Sequence, residues 1–277
     1  MLGNSERLFA ASSPTGPAFE GAQISCGVRA AAGAIERVRI DPETLEPRFK
    51  VIGSDLWSDD DGFADAIAST GVIGICGSGI IEVLAEMSKA GILDRAGVVR
   101  GALAERTSRI VETDRTFAYR LHTPFDGHAG SELFIEQNDV RAIQLAKAAL
   151  KAGIDLLLEH SGFDGIDDIR LAGAFGSHID TQAAIDIDLI PPSRGALGSP
   201  GNSAGSGAAR LALSGRERAE IEQVVREVTK IETATEPKFQ ELFVEAMGFP
   251  LAPEAEPAAA GGRRRRSGGR RSRENPA

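Results

Sequence analysis

Apolar residues recur at helical spacing in two long stretches of the chain. In the first, the apolar positions 80, 81, 84 and 87 share one face of a helix that follows Gly77-Ser78-Gly79 and ends at Gly91. The second covers residues 135–162, with Asn138 as the predicted N-cap and Gly162 near the C-cap. Its predicted buried stripe consists of Ile143, Leu145, Ala146, Leu150, Ile154, Leu157 and Leu158. The pattern predicts two amphipathic helices that pack on a core.

Shorter apolar runs surround these helices and predict strands. The strands are expected at 7–13, at 23–28, at 49–53, twice within 108–124, and at the end of 215–235. Residues 29–41 are predicted to form a small-residue helix that runs into a strand. Further helices are expected within 181–192, after the glycine-rich loop that opens 198–215, in the first part of 215–235, and in 236–250. This alternation is typical of an α/β fold.

Composition supports that fold class and divides the chain into two parts. The chain has 277 residues, of which 42% are hydrophobic and 5% aromatic, and the 32 glycines suit close-packed turns. Residues 258–277 carry seven arginines and one glutamate, so the remainder carries most of a negative charge that the net value of −9 understates. We expect a folded domain over 1–257 and a disordered arginine-rich tail over 258–277. The acidic body makes nucleic acid an unlikely partner for the domain.

No apolar stretch is long enough to cross a membrane, and no signal peptide is visible, so a cytoplasmic location is expected. The two cysteines, Cys26 and Cys76, form neither a disulfide framework nor a ligand cluster. His178 and Asp180 are spaced as two metal ligands, but two ligands do not make a metal site. The sequence therefore predicts no metal site in this chain.

Three glycine-rich junctions carry the candidate chemistry. They are GICGSGI (74–80), LAGAFGSH (171–178) and PGNSAGSGA (200–208), and each follows an apolar or turn segment and leads into a helix or loop. Glycine permits a positive φ and removes the Cβ that would block close approach, so each junction is either a structural turn or part of a nucleotide site. None has the spacing of a Walker loop or of the dinucleotide-binding fingerprint.

A fourth glycine-rich segment, GPAFEG (16–21), places Glu20 in a tight turn before the next apolar run. Glu20 could polarise a water molecule or hold Mg²⁺ through water. The alternative is that Glu20 only caps the next segment.

The motifs taken together resemble a known family. GPAFEGAQISCGVRAAAGAIERVRI, GICGSGIIEVLAEMSKAGILD, DVRAIQLAKAALKAGIDLLL, LAGAFGSHIDTQAAIDIDLIPP, GNSAGSGA and FQELFVEAMGFP follow one another as in the C-terminal ATPase part of the iron–sulfur reductive activators of corrinoid proteins. The resemblance covers most of residues 3–250. That family belongs to the acetate and sugar kinase/Hsc70/actin (ASKHA) superfamily.

The resemblance implies two ribonuclease H-like lobes with a mixed sheet flanked by helices, which clasp ATP between them, the first lobe being incomplete here. Residues 173–176 would match the adenosine motif, and residues 77–79 the helix at the hinge between the lobes. Glu20 would act in catalysis. The expected cofactor-binding residues are Gly16, Gly77, Ser78, Gly79, Gly173, Ala174, Phe175, Gly176, Asn202 and Gly205.

The resemblance also implies an activity, in which ATP and Mg²⁺ drive an electron from a [2Fe–2S] cluster to an oxidised corrinoid methyl-carrier protein, so that Co(II) becomes Co(I). The cluster needs four cysteine ligands, and this chain has two. The family's Asp-Gly-Thr phosphate loop is also missing. We therefore expect an N-terminally truncated activator that has little activity alone and needs an N-terminal half, which a separate gene could encode. Two alternatives are a non-catalytic module that docks on a corrinoid protein and a small-molecule kinase of the same superfamily.

Overall fold

The computed structural model describes residues 1–125 and 131–250, without the side chain of Ala174. The predicted tail over 258–277 lies outside the described residues. The described strands are β1 (Leu2–Gly3), β2 (Leu8–Ala11), β3 (Ala34–Ile40), β4 (Pro47–Val51), β5 (Gly74–Ile75), β6 (Ile110–Glu112), β7 (Phe117–His122), β8 (Leu133–Ile135), β9 (Ile169–Arg170), β10 (Leu197–Gly198) and β11 (Thr229–Ile231).

The described helices connect and cover these strands. They are α1 (Phe63–Ala66), α2 (Gly77–Lys89), α3 (Gln137–Ser161), α4 (Gly173–Gly176), α5 (Thr181–Asp186), α6 (Ser203–Leu213), α7 (Gly215–Glu227) and α8 (Phe239–Glu245), together with 3₁₀ turns at Ala18–Glu20 and Gly101–Glu105. Within residues 1–125 and 131–250, no helix is both long and apolar enough to cross a membrane.

The strands form small sheets that contain both parallel and antiparallel pairs. β3 pairs antiparallel with β4 and parallel with β5. β7 is flanked by β6 and β8, both antiparallel. β2 lies between β1, which is antiparallel, and β11, which is parallel. β9 and β10 pair in parallel. The mixed α/β arrangement agrees with the expected fold class.

The main core lies where α2 packs on β3. The predicted apolar face of α2 is buried, with Ile80, Ile81, Leu84 and Met87 each at most 2% exposed. Gly91 follows the helix with a φ of +68°, as its predicted role at the helix end requires. Removing this much apolar surface from water is the largest favourable contribution to folding. The helix that leads away from the GICGSG motif is therefore fixed rigidly in the core.

The long helix α3 confirms most of its predicted pattern, with two differences. Gly162 ends it in the left-handed conformation, at a φ of +68°. Its N-cap, however, is Glu136 rather than Asn138, because Glu136 and Asp139 form a reciprocal capping box. Leu145 is 46% exposed, although the pattern predicts it in the buried stripe.

Two predicted elements are wrong. Residues 29–33 are not helical, because Gly33 adopts a φ of +87° and its Cα lies against the carbonyl of Gly71, where a Cβ would approach within 2.6 Å. Residues 23–28 are mostly turns, and the expected strand is reduced to a single bridge between Gly27 and Ile75. The other strands and helices predicted from the pattern occur within or close to the expected ranges.

Candidate functional site

Three of the glycine-rich motifs meet at one point of the molecule. The ring of Phe19 from GPAFEG stacks on the ring of Phe175 from LAGAFG, with centroids 6.2 Å apart and planes 21° apart. Gly77 from GICGSG lies against both residues, since a Cβ there would be 2.0 Å from the Phe19 carbonyl oxygen and 2.6 Å from Cε2 of Phe175. Only glycine fits at this position. Motifs that are up to 156 positions apart thus form one junction.

The rest of the GICGSG turn is also packed against protein. A Cβ on Gly79 would lie 2.5 Å from the carbonyl oxygen of Ile35. The Ser78 side chain is 5% exposed, and its Oγ is 3.3 Å from the Sγ of Cys76. Gly77, Ser78 and Gly79 are therefore closely packed against protein at the start of α2, and their predicted role in cofactor binding stays a prediction.

In the LAGAFG and PGNSAGSG motifs, by contrast, several glycines have open space around the position of a Cβ. Gly173, Gly198 and Gly201 have no heavy atom within 4 Å of the position of a Cβ, and Gly173 and Gly201 have φ values of +97° and +70°. The Gly173 amide donates to the Gly201 carbonyl at 2.8 Å, and the Leu171 amide donates to the Gly198 carbonyl at 2.9 Å. These hydrogen bonds place the three glycines side by side. We call this surface of bare backbone the open glycine patch.

Neighbouring side chains hold the open glycine patch in place. The Asn202 Oδ1 accepts from the Gly205 amide at 2.9 Å and so caps α6. A Cβ on Gly205 would lie 2.7 Å from the Asn202 Nδ2, which leaves no room for a larger residue there. The Ser199 hydroxyl donates to the Leu171 carbonyl at 2.9 Å. Asn202 and Gly205, both predicted site residues, thus build the turn that presents Gly201.

The remaining predicted residues lie near the junction of motifs but make fewer contacts. Gly176 returns close to the end of β9, where its Cβ would lie 3.0 Å from the carbonyl carbon of Leu171. Gly16 is exposed, with a φ of +61°. Glu20 is exposed at the end of a 3₁₀ turn. The capping role and the catalytic role of Glu20 both stay predictions.

A buried ionic cluster connects the junction to the core, and the sequence analysis missed it. Glu82 on α2 is fully buried and accepts from Arg37 at 2.6 Å, from Arg39 at 2.7 Å and from the Val38 amide at 2.9 Å. Arg39 also pairs with Asp180 at 3.2 Å. The cluster thereby joins α2, β3 and the start of α5. The sequence does contain one indication of this cluster, because Glu82 is a charged residue among the apolar residues of the predicted helix.

Asp180, one of the two residues in the His178 and Asp180 spacing, has other partners in the structure. Burial raises the pKa of Asp180, but hydrogen bonds from the Ala183 amide and the charge of Arg39 outweigh it and keep that pKa below its ordinary value. Asp180 therefore serves as the N-cap of α5 and as an ion-pair partner. Among the described residues, no three His, Cys, Asp or Glu side chains come together as a metal site.

Comparison with known proteins places these features in a family. The family model described as the C-terminal domain of RACo, the ASKHA domain, matches residues 1–258. The chain belongs to this family. A solved reductive activator for corrinoid, iron–sulfur protein superimposes on the RACo-type ASKHA domain with a TM-score of 0.75 and 31% sequence identity. The match covers 91% of this chain and 38% of the other.

Two curated relatives agree with this assignment. The corrinoid activation enzyme RamQ of Eubacterium limosum is 34% identical over 251 residues, which are 88% of this chain and 40% of that protein. A reductase from Methanosarcina barkeri, named for the Co(II) methylated amine-specific corrinoid protein, is 25% identical over 236 residues, which are 82% of this chain and 38% of that protein. The RACo-type ASKHA domain described here thus spans about two fifths of the length of these relatives.

Proposed function

We propose that this domain provides the adenosine side of an ATP site in a reductive activator of a corrinoid protein, in which ATP drives the return of Co(II) to Co(I). The open glycine patch carries the proposal, because a base or ribose can lie flat on backbone that bears no side chains. Family membership and the names of the relatives support the same function.

The open glycines and the enclosed glycine would have different roles in the site. Gly173 and Gly201 are open to an approaching nucleoside, whereas Gly77 is enclosed between Phe19 and Phe175. A nucleoside bound on the open glycine patch would therefore press on α4, and Phe175 of α4 touches both α2 and the GPAFEG segment. ATP binding would therefore change the contacts of α2, the helix that the resemblance places at the hinge. This would couple nucleotide binding to movement of the lobes.

The chain's own residues do not supply the electron carrier. Cys26 donates from Sγ to the Phe134 carbonyl at 3.2 Å, and its burial raises the pKa of its thiol to about 12. Cys76 is buried in the turn before α2. Two such cysteines do not fit a [2Fe–2S] cluster, which takes four cysteine ligands. We propose that a segment outside this chain carries the cluster, which passes one electron to cobalt.

Among the described residues, no three His, Cys, Asp or Glu side chains come together, but Mg²⁺ usually takes only one or two carboxylates besides water and phosphate oxygens. The phosphate loop and the metal ligands belong, in this proposal, to the same outside segment as the cluster. Glu20 is exposed next to Phe19 and remains the candidate for orienting a water molecule. The partner of the assembled protein is a corrinoid methyl-carrier protein.

The test is ATP binding by titration calorimetry, with the variant Gly173→Ala and its matched control Gly62→Ala. Both glycines have a positive φ, +97° and +84°, and open space around the Cβ position. Both substitutions should cost about 1–2 kcal/mol of stability, because an L side chain strains the left-handed backbone. We expect only Gly173→Ala to weaken ATP binding, by about tenfold, since its methyl group occupies the open glycine patch.

Equal ATP affinity in the two variants would contradict the assignment of the adenosine side. Where the chain alone gives no measurable heat, the same pair is compared after the N-terminal segment is added. No binding in any of these mixtures would remove the ATP site from this domain.

One observation favours a second function, a docking module that binds the corrinoid protein without nucleotide. Leu213 at the end of α6 is 89% exposed and Val225 on α7 is 63% exposed, so this part of the surface offers apolar side chains to a partner. Retention of the domain on an immobilised corrinoid carrier to the same extent with and without ATP would support docking alone.

A further inference from the structure

A cavity of about 690 Å³ lies apart from the open glycine patch. It opens between the β3–β4 hairpin and the end of β7, and its lining includes none of the glycine-motif residues. Its floor carries the aromatic side chains Phe49, His122 and Phe125. The volume falls within the range of small-molecule sites.

His122 is the unusual member of the floor. It is 4% exposed, and its ring contacts Phe49 and Phe125, each with centroids 5.4 Å away. Neither ring nitrogen has a hydrogen-bond partner among the described residues. Burial lowers the pKa of His122 to about 4, and a neutral imidazole has one donor and one acceptor. The ring nitrogens are not among the buried polar atoms that lack a partner in the described residues, so they are reached from the cavity, where a bound molecule would meet them.

The turn that joins two lining residues of the cavity, Asp41 and Glu46, contains a strained residue that does not itself line the cavity. Leu45, in the turn between β3 and β4, is 1% exposed and has a φ of +63°, which is rare for a leucine. The Tyr119 hydroxyl donates to the Leu45 carbonyl at 2.9 Å, and Arg106 donates to the Glu43 carbonyl at 3.1 Å. Such strain persists only when the surroundings enforce it, and it concentrates at functional sites. These contacts hold the turn between Asp41 and Glu46 in place beside the cavity.

Among the described residues that line the cavity, Arg48 is the arginine with the weakest pairing. Arg48 stacks on the Trp57 ring at 4.8 Å, and its nearest carboxylate oxygen, on Asp59, is 4.0 Å away, beyond hydrogen-bond distance. The other charged lining residues already have partners: Arg39 binds Glu82 and Asp180, Arg109 binds Glu46, Glu86 accepts from the Ile40 amide, and Asp41 accepts from the turn at Thr44. Arg48 thus has a long ion pair with Asp59 and no side-chain hydrogen bond to a described residue, so an acid would compete with Asp59 for its guanidinium group.

We propose that this cavity binds a small aromatic acid. The flat ring lies against Phe49 and Phe125, the acid group accepts from Arg48, and a polar atom of the ligand bonds to His122. The site is separate from the nucleotide site, so the proposal stands whether or not the domain binds ATP.

The experiment is saturation-transfer NMR on the full chain with 2-naphthoate as the probe and 2-naphthamide as the uncharged control. We expect saturation of the naphthoate ring protons, a shift of the His122 imidazole resonance, and at least about tenfold weaker binding of the amide, because the charge-assisted hydrogen bond to Arg48 is lost. Arg48→Gln should weaken naphthoate binding by a similar factor. The matched control Arg216→Gln, at an 88% exposed position on α7, should leave it unchanged.

Three results would overturn the proposal. The first is no saturation at millimolar naphthoate in a chain whose thermal unfolding is normal. The second is equal binding of acid and amide, or of Arg48→Gln and the native chain. The third is displacement of naphthoate by ATP, which would place the acid in the nucleotide site. Arg48 is half exposed, so its replacement leaves the fold intact and the comparison interpretable.

Discussion

Two helical regions of this molecule show the same amphipathic pattern and have opposite surroundings. In α2, which packs on β3, most residues are buried, including the charged Glu82. In α6 and α7 no residue is buried, and apolar side chains such as Leu213 and Val225 face solvent. The spacing of apolar residues therefore predicts which side of a helix can be buried. Whether that side is buried depends on the other elements that pack against it.

The difference extends to what holds each region. The α2 region, meaning α2 with β3 and β4, has a continuous core and a buried ionic cluster. The α6–α7 region depends on caps and surface ion pairs, such as Ser214 at the start of α7 and the pairs of Arg210 with Glu217 and of Arg216 with Glu220. Solvent screens exposed pairs of that kind, so they contribute little to stability. We infer that the α6–α7 region is the less stable of the two.

The largest loss of stability in the α2 region is expected when Glu82 is removed. Glu82→Ala leaves Arg37 and Arg39 without their shared carboxylate and the Val38 amide without an acceptor. Breaking a buried ion pair costs about 3–5 kcal/mol. Urea denaturation should show this loss as a lower midpoint of unfolding.

Glu220→Ala is the matched control, since Glu220 pairs with Arg216 on the exposed face of α7. It should change the free energy of unfolding by less than about 0.5 kcal/mol. Similar losses in both variants would show that the two regions do not differ as the burial of their side chains indicates.

Acidification should also lower the stability of the fold, because it protonates His122 on strand β7, whose ring contacts Phe49 of β4. Burial, and to a lesser extent the charge of Arg109, lowers the pKa of His122 from 6.5 to about 4. Between these two pH values the unfolded chain binds a proton that the folded chain does not, so stability is complete above pH 6.5 and falls as pH drops towards 4. The share due to His122 is about 3 kcal/mol.

Denaturation curves between pH 7 and pH 4 measure this share as a difference between variants. The loss of stability on acidification should be smaller in His122→Phe, because the titrating group is gone. In His160→Gln it should match the native chain, since His160 is a surface residue near Glu236. An unchanged pH dependence in His122→Phe would mean that His122 is not held neutral.

The sequence predicted the elements whose signal is local. α2 and α3 have long helical periodicity and glycines at their ends, so their bounds were close to correct. Residues 29–33 look helical from their alanines, but Gly33 is fixed by a contact with Gly71, which no local pattern shows. The same reason explains Leu145, whose exposure depends on which elements reach that side of α3.

For the candidate site, the sequence located the glycine motifs but not their roles. Gly77 and Gly173 occur in similar strings of small residues, yet one is enclosed by Phe19 and Phe175 and the other is open. That difference arises from chain segments far away in sequence. The partners of Glu82 and the cavity around His122 are likewise assembled from distant segments, which is why the sequence analysis did not find them.

The smallest change in the free energy of unfolding is expected in the α6–α7 region. This change tests directly whether the exposed apolar side chains there contribute to stability. The double variant Leu213→Ser/Val225→Ser removes two large apolar groups that are 89% and 63% exposed. Because little apolar surface is lost from a core, the free energy of unfolding should change by less than about 0.5 kcal/mol. The buried control Leu84→Ala on α2 should cost about 2–5 kcal/mol.

If the double variant is instead destabilised by several kcal/mol, Leu213 and Val225 are buried in solution against another surface. A protein-concentration dependence of the native midpoint would identify that surface as a second copy of the chain. A midpoint independent of concentration would mean that α6 and α7 fold back on this same domain. A small change in stability, with unaltered binding of ATP, would leave the exposed face of α6 and α7 as a surface for a partner protein, in contrast to α2, whose face is fully used within the domain.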